Sequence, residues 1–284
     1  MKYHVLVGTH HRTGTAWMHS VFREISEQLA VPYLHLNRIG VSGRNREGRC
    51  EALRRFISDA SRKVIVFEAH SDFPDLAKVD VHYKTHFRGI HMIRDPRDVA
   101  ISSAAYHARA AEQWPHVPQA RFGGLTYQEK NKSFSTLKEK ILFESDNSNR
   151  NLVSQMVAFD RQEVFRDIKY EDLIEDTKMT AWREVLDYVG FEETEMASVL
   201  QAVWAKSLFG GKKQRGAHIT SGAKEQWREV FDAALSEEYT RRFGAELAKL
   251  GYPLGEAEKL GVSPKLSDHA GAANPNQASL PERD

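Results

Sequence analysis

The chain has 284 residues, of which 41% are apolar and 28% charged, and a formal net charge of +1 at pH 7. That length supports one sizeable α/β core and cramps a second full domain, while the near-neutral balance excludes general attraction to nucleic acid or anionic membrane, so any cationic site has to be local. Cys50 is the lone cysteine, which excludes an intramolecular disulfide and points to a reducing, cytoplasmic setting; no run approaches about 18 apolar residues, and Met1 leads almost directly into an apolar run, leaving no room for a signal peptide or anchor.

Residues 5–7 form a short apolar run that ends at Gly8, a polar turn follows to Gly14, and a helical pattern covers 15–29, with Trp17, Val21, Ile25 and Leu29 recurring at every fourth position. A strand–loop–helix junction of this kind aims several backbone N–H groups at one spot, and Arg12 adds a full positive charge, so the spot suits a phosphate. It is not a Walker A loop, because no lysine follows Gly14, and Mg-nucleotide chemistry is disfavoured. An ordinary βα turn is the plainer reading of the same letters, and Trp17 on the apolar face is equally a core residue.

Residues 31–36 read as a second strand, followed by a polar loop at 38–49 that carries Arg38, Arg44, Arg46 and Arg49, either a solvated surface or a greeting for an acidic acceptor. A helix is expected over 51–60, and 63–67 is apolar enough for a central parallel strand, with Glu68 and His70 just past its end. A short helix or turn at 73–81 leads into the strand closed by Arg94. Asp95 then supplies an N-cap carboxylate, Pro96 the first helical position and Asp98 an acid at the third. Ser102, seven residues after the cap, shares a face with it, so Arg94 and Ser102 can hold one anion between them. The segment 113–151 reads as a long connection of lid or binding-loop type with a helix at 132–143 inside it. Helices are expected at 152–159, 181–191 and 236–250, and a strand at 164–170. A Gly- and Lys-rich stretch covers 208–227, and the tail 255–284 reads as disordered. There is no internal repeat, and no Cys/His set has metal-ligand spacing.

Two of these junctions together are recognisable. His11-Arg-Thr-Gly-Thr-Ala-Trp17 resembles the P-K-S-G-T-T-W loop of the sulfotransferases that use 3′-phosphoadenosine 5′-phosphosulfate (PAPS), and Arg94-Asp-Pro-Arg-Asp-Val-Ala-Ile-Ser102 resembles their R-x-P-x-D-x-x-x-S segment. Tyr170-Glu-Asp-Leu resembles the family's Y-E-D-L, and Gly222 and Trp227 match its closing R-K-G-x-x-G-x-W. The resemblance implies a P-loop-like three-layer α/β fold with a central parallel sheet over 1–254, and transfer of a sulfuryl group from PAPS to a small-molecule acceptor without a metal, leaving adenosine 3′,5′-bisphosphate (PAP). By the same resemblance Arg12 stands at the 5′-phosphosulfate, Thr13, Gly14, Thr15 and Ala16 give loop contacts, and Trp17 lies against adenine. Arg94 with Ser102 takes the 3′-phosphate, Tyr170 lies near the adenosine, Gly222 closes the site, and 113–151 covers the acceptor.

The departures are Arg12 for the usual Lys, Ala16 for a Thr, Thr220 and Ser221 for Arg and Lys, and Glu225 for the second Gly; Lys212, Lys213, Arg215 or Lys224 could supply the missing charge. Two histidines compete for the base. Lys84-Thr-His86 spells the family's K-T-H, but His86 lies eight residues before Arg94 on an extended chain, up to about 26 Å from the cofactor edge. His70 follows the 63–67 strand and so emerges at the same edge as Arg12 and Arg94, with Glu68 in place of the family's Lys and available to orient the imidazole or raise its basicity. The rival functions are a P-loop kinase using ATP and a non-catalytic nucleotide-binding module of the same fold. Acceptor identity and oligomeric state stay open.

Overall fold

The computed structural model describes residues 1–38, 46–210 and 222–254. Five strands, β1 (His4–Gly8), β2 (Tyr33–His35), β3 (Ile65–Glu68), β4 (Phe87–Ile93) and β5 (Phe165–Lys169), form one sheet in the order β2-β3-β1-β4-β5, with every pairing parallel. The helices in chain order are α1 (Thr15–Leu29), α2 (Arg46–Asp59), α3 (Leu76–Val79), α4 (Tyr83–His86), α5 (Pro96–His107), α6 (Tyr127–Lys132), α7 (Leu137–Asp146), α8 (Ser148–Ala158), α9 (Tyr170–Leu173), α10 (Thr180–Tyr188), α11 (Glu193–Lys206), α12 (Trp227–Val230) and α13 (Ala233–Lys249). Among the described residues, no helix is long and apolar enough to cross a membrane.

The chain divides into two compact units, Met1–Arg94 with Ala158–Lys224, and Asp95–Val157 with the residues from Glu225 on. The first holds the sheet in a three-layer sandwich. Alternation along each strand sends Val5, Val7, Ile65, Phe67, Ile90 and Met92 to one face, against α1, α10 and α11. Leu6, Val64, Val66, Phe87 and Phe165 face the other way, against α2 and α3. β1 and β3 are buried along their whole length and β4 everywhere but Arg88, as parallel strands covered on both faces must be.

Register fixes what gathers at one edge. Gly8 pairs with Glu68 on one side and with His91 on the other, so the loop after β1, the turn holding His70 and the end of β4 leave the sheet at one side. His86 instead immediately precedes Phe87, which pairs with His4 at the start of β1, and therefore lies at the opposite end.

The second unit is helical. Asp95 caps α5 by accepting from the Arg97 N–H at 3.0 Å, with Pro96 at the first position. The segment expected to be a long connection with one helix at 132–143 holds two: capping boxes pairing Thr126 with Glu129 and Thr136 with Glu139 start α6 and α7, and the polar run 145–151 lies where α7 ends and α8 begins. Elsewhere α2 starts at Arg46, earlier than its apolar spacing suggests, and α4 and α11 have no counterpart in the sequence reading. The tail 255–284 lies outside the described residues.

Candidate active site

The loop after β1 is built around one carbonyl. The His10 oxygen accepts from the Thr13 N–H at 3.1 Å, from Thr13 Oγ1 at 2.9 Å and from Thr15 Oγ1 at 2.6 Å, while Thr13 Oγ1 itself accepts from the His10 N–H at 2.9 Å. Arg12 and Gly14 take positive φ, 66° and 103°, which turn the chain sharply into α1. Gly14 caps α1 without any side-chain bond to the first helical N–H groups. The positive end of a 15-residue helix is thus left to backbone donors, the arrangement that favours an anion. Thr13 and Thr15 spend their hydroxyl protons inside the loop, and Ala16 is exposed at the helix start.

Tyr170, the first residue past β5, draws the distant motifs of this unit together. A Cβ on Gly14 would come within 3.1 Å of its ring, so close approach and positive φ both require glycine there. Trp17 meets Tyr170 edge-on at 5.9 Å and Trp182 at 5.4 Å, half-buried against the core. The Arg94 guanidinium lies 4.4 Å from the Tyr170 ring centre and donates to the carbonyls of Arg12 at 3.1 Å and Ala223 at 2.9 Å. The Tyr170 hydroxyl donates to the Gly222 carbonyl at 3.1 Å. Arg94 is only 6% exposed, and a guanidinium so far from water favours a complementary anion.

At the end of β3, Glu68 is fully buried and pairs with Arg49 at 3.5 Å. It accepts from the backbone N–H groups of His70 at 2.7 Å and Asp72 at 2.8 Å, and from the Asn37 amide. Glu68 was expected to orient the imidazole or raise its basicity; the bonds found for it go to the backbone of the turn, to Asn37 and to Arg49, and the His70 side chain is exposed. Ser71 Oγ ties this turn to the loop by donating to the Thr9 carbonyl at 2.9 Å. His86, at the far end of the sheet, has its Nδ1 2.6 Å from Asp80 Oδ2.

In the second unit, Ser102 is buried on α5. Two residues of the same helix do work that the sequence reading missed. Asp98 accepts from the Trp227 N–H at 3.0 Å, and the Arg97 guanidinium, held by both oxygens of Asp95, lies 3.5 Å from the Trp227 ring centre. An acid at the third helical position was the available sign for Asp98. Lys224, a candidate for the missing cation of the closing motif, is paired with Glu175 at 2.8 Å. Thr220, Ser221, Lys212, Lys213 and Arg215 lie outside the described residues. Among the described residues, no group of three or more His, Cys, Asp or Glu is placed to hold a metal ion.

A family model described as the sulfotransferase domain matches residues 2–251. Among solved structures, a mouse sulfotransferase, SULT7A1 complexed with PAP, is similar at 14% identity, covering 92% of this chain and 90% of that one with a TM-score of 0.54. A retinol dehydratase in complex with androsterone and inactive cofactor PAP is similar at 17% identity, covering 86% and 80% with a TM-score of 0.49. At 14% identity the likeness to the mouse sulfotransferase is one of fold. No curated protein matches.

Proposed function

Because the chain belongs to the sulfotransferase family, we propose that it moves the sulfuryl group of PAPS to a hydroxyl or amine of a small-molecule, sugar or lipid acceptor. The observation that carries this reading is the buried Arg94, set over Tyr170 and bonded to the carbonyl of Arg12 in the loop that opens the uncapped N-terminus of α1. Two anion-favouring features of one unit are thereby joined, as a donor with phosphates at both its 3′ and 5′ positions requires. The residues of this unit fit such a ligand: backbone donors and Arg12 for the 5′ end, Arg94 for the 3′-phosphate, Trp17 and Tyr170 as aromatic surfaces for the adenosine, and Gly222 in the segment that the Tyr170 hydroxyl holds. Thr13, Gly14, Thr15 and Ala16 shape and present the loop.

In the transfer, the bond between sulfur and the bridging phosphate oxygen breaks, that oxygen keeps the electron pair, and sulfur bonds to the acceptor oxygen or nitrogen. Arg12 and the loop N–H groups stabilise the charge on the departing phosphate. His70 receives the acceptor proton. Its turn, fixed by Glu68 and Ser71, is at the same sheet edge as the loop, whereas His86 is at the other.

A P-loop kinase would need a lysine after Gly14 and acidic ligands for Mg²⁺. Asp95, the acid following β4, commits both oxygens to Arg97. The test is incubation with ³⁵S-labelled PAPS and pooled phenols, sugars, lipids and amines. Label moves to at least one acceptor class, with or without a chelator. Failure of transfer despite tight PAP binding would favour a non-catalytic member of the family, and Mg²⁺-dependent phosphoryl transfer from ATP would favour the kinase.

A further inference from the structure

From the loop after β1 a chain of hydrogen-bonded side chains, to which the proposed mechanism gives no role, runs from two buried histidines to the half-buried Asp167 and the exposed Arg161. His10 Nε2 lies 2.7 Å from His91 Nε2 on β4, His91 Nδ1 lies 2.9 Å from Asp167 Oδ1 on β5, and Asp167 Oδ2 lies 2.5 Å from an Arg161 nitrogen. His10 and His91 are 1% and 0% exposed, and His91 is stacked on Phe159 at 4.0 Å. Burial holds both imidazoles below the usual histidine range, for His10 well below, so they are neutral near pH 7. Burial opposes the Asp167 charge, but the hydrogen bonds from His91 and Arg161 keep that carboxylate ionised.

An ionised carboxylate only accepts, and a neutral imidazole carries one proton. Asp167 therefore requires the His91 proton on Nδ1. His91 Nε2 must then accept, which puts the His10 proton on Nε2 and leaves His10 Nδ1 as a lone pair. That atom is buried and has no partner among the described residues. The reverse order would place an N–H there with nothing to receive it, a costlier defect than an idle lone pair. His10 would have to shift, and its carbonyl carries the three bonds that shape the loop.

We propose that Asp167, His91 and His10 form a positioning brace for the phosphate loop, and that the loop depends on the proton order which the Asp167 charge imposes through the two rings. This deepens the sulfuryl-transfer reading and rests on it for the identity of the loop's ligand.

Asp167→Asn tests the order rather than the shape. Arg161 attracts the amide oxygen, so the NH₂ turns to His91 and reverses both rings. PAP titration should show affinity at least about tenfold weaker than wild type, the scale of a disrupted charged hydrogen bond. Arg161→Ala alone keeps the carboxylate and should bind like wild type. The double variant frees the amide to present its oxygen to His91 and should recover most of the lost affinity, which a merely structural loss of an ion pair would not. Long-range ¹H–¹⁵N spectra of the wild type supply a reading that needs no variant: protons on His91 Nδ1 and His10 Nε2 are expected, and the opposite pattern overturns the brace. Wild type that binds PAP, with Asp167→Asn binding it equally well, overturns the brace alone. Wild type that fails to bind PAP overturns the function and, with it, the brace's claim on ligand binding.

Discussion

The loop after β1 and the α6–α7 segment of the second unit are built from opposite materials. The loop is backbone: one carbonyl, two positive-φ residues and a helix start, contained within residues 10–17. The α6–α7 segment is organised by side chains around one buried carboxylate. Glu144 accepts from the Tyr127 hydroxyl at 2.9 Å and the Asn131 amide at 3.1 Å, and lies 2.9 Å from His107 Nδ1, joining α5, α6 and α7. Backbone architecture is specified by a few adjacent letters and so reads as a motif. A side-chain network drawn from three helices leaves no local signature, which is why the second region does not read as a motif.

The sharpest way to break this comparison is to empty the second region. Glu144→Ala strands a histidine, a tyrosine and an asparagine in the interior and should cost about 3–5 kcal/mol, seen as a lower urea midpoint. A midpoint unchanged from wild type would show that Glu144 does not organise the unit. The next largest effect belongs to the base. With saturating PAPS, His70→Ala should lose at least ~10²-fold in single-turnover rate while still binding PAP, and His86→Ala should stay near wild type. The reverse pattern would mean that the K-T-H letters outrank the sheet register.

How far the sequence was legible follows the same division. The helix 15–29 was read to the residue, because Gly14 stops the turn and the apolar stripe is continuous. The parallel sheet was implied by the resemblance and, for 63–67, by an unbroken apolar run, and the register puts Glu68 level with Gly8. α11 was not read, although Met196, Val199 and Val203 form its buried stripe, because its capping box of Glu192 and Glu195 lacks the usual Ser or Thr. α2 was read short because Arg46–Arg49 are polar and its apolar contacts begin only at Cys50. The roles of Asp98, His10 and His91 depend on partners far away in sequence, which no spacing rule reveals.

Smaller effects sharpen the loop side. Gly14→Ala forces a side chain into φ 103° and toward the Tyr170 ring, and should weaken PAP binding by about 1–3 kcal/mol, measured by titration. Unchanged affinity would mean that the loop tolerates what its geometry forbids. The last effect is on pH. Burial lowers the pKa of His10, His91, His4 and His35, the last two to about 4, from 6.5. The unfolded chain therefore binds more protons than the folded one below about 6.5, and stability falls as pH drops through that value toward 4. Melting temperature should decline from pH 7 to pH 5; a flat profile would contradict neutral buried imidazoles.

The central claim, that Arg94 and the α1 loop together recognise a nucleotide phosphorylated at both ends, is tested most directly by thermal shift with PAP and AMP on wild type and Arg94→Ala. PAP should raise the wild-type melting temperature far more than AMP, and Arg94→Ala should largely erase the difference. Equal shifts from the two nucleotides on the wild type would contradict the account.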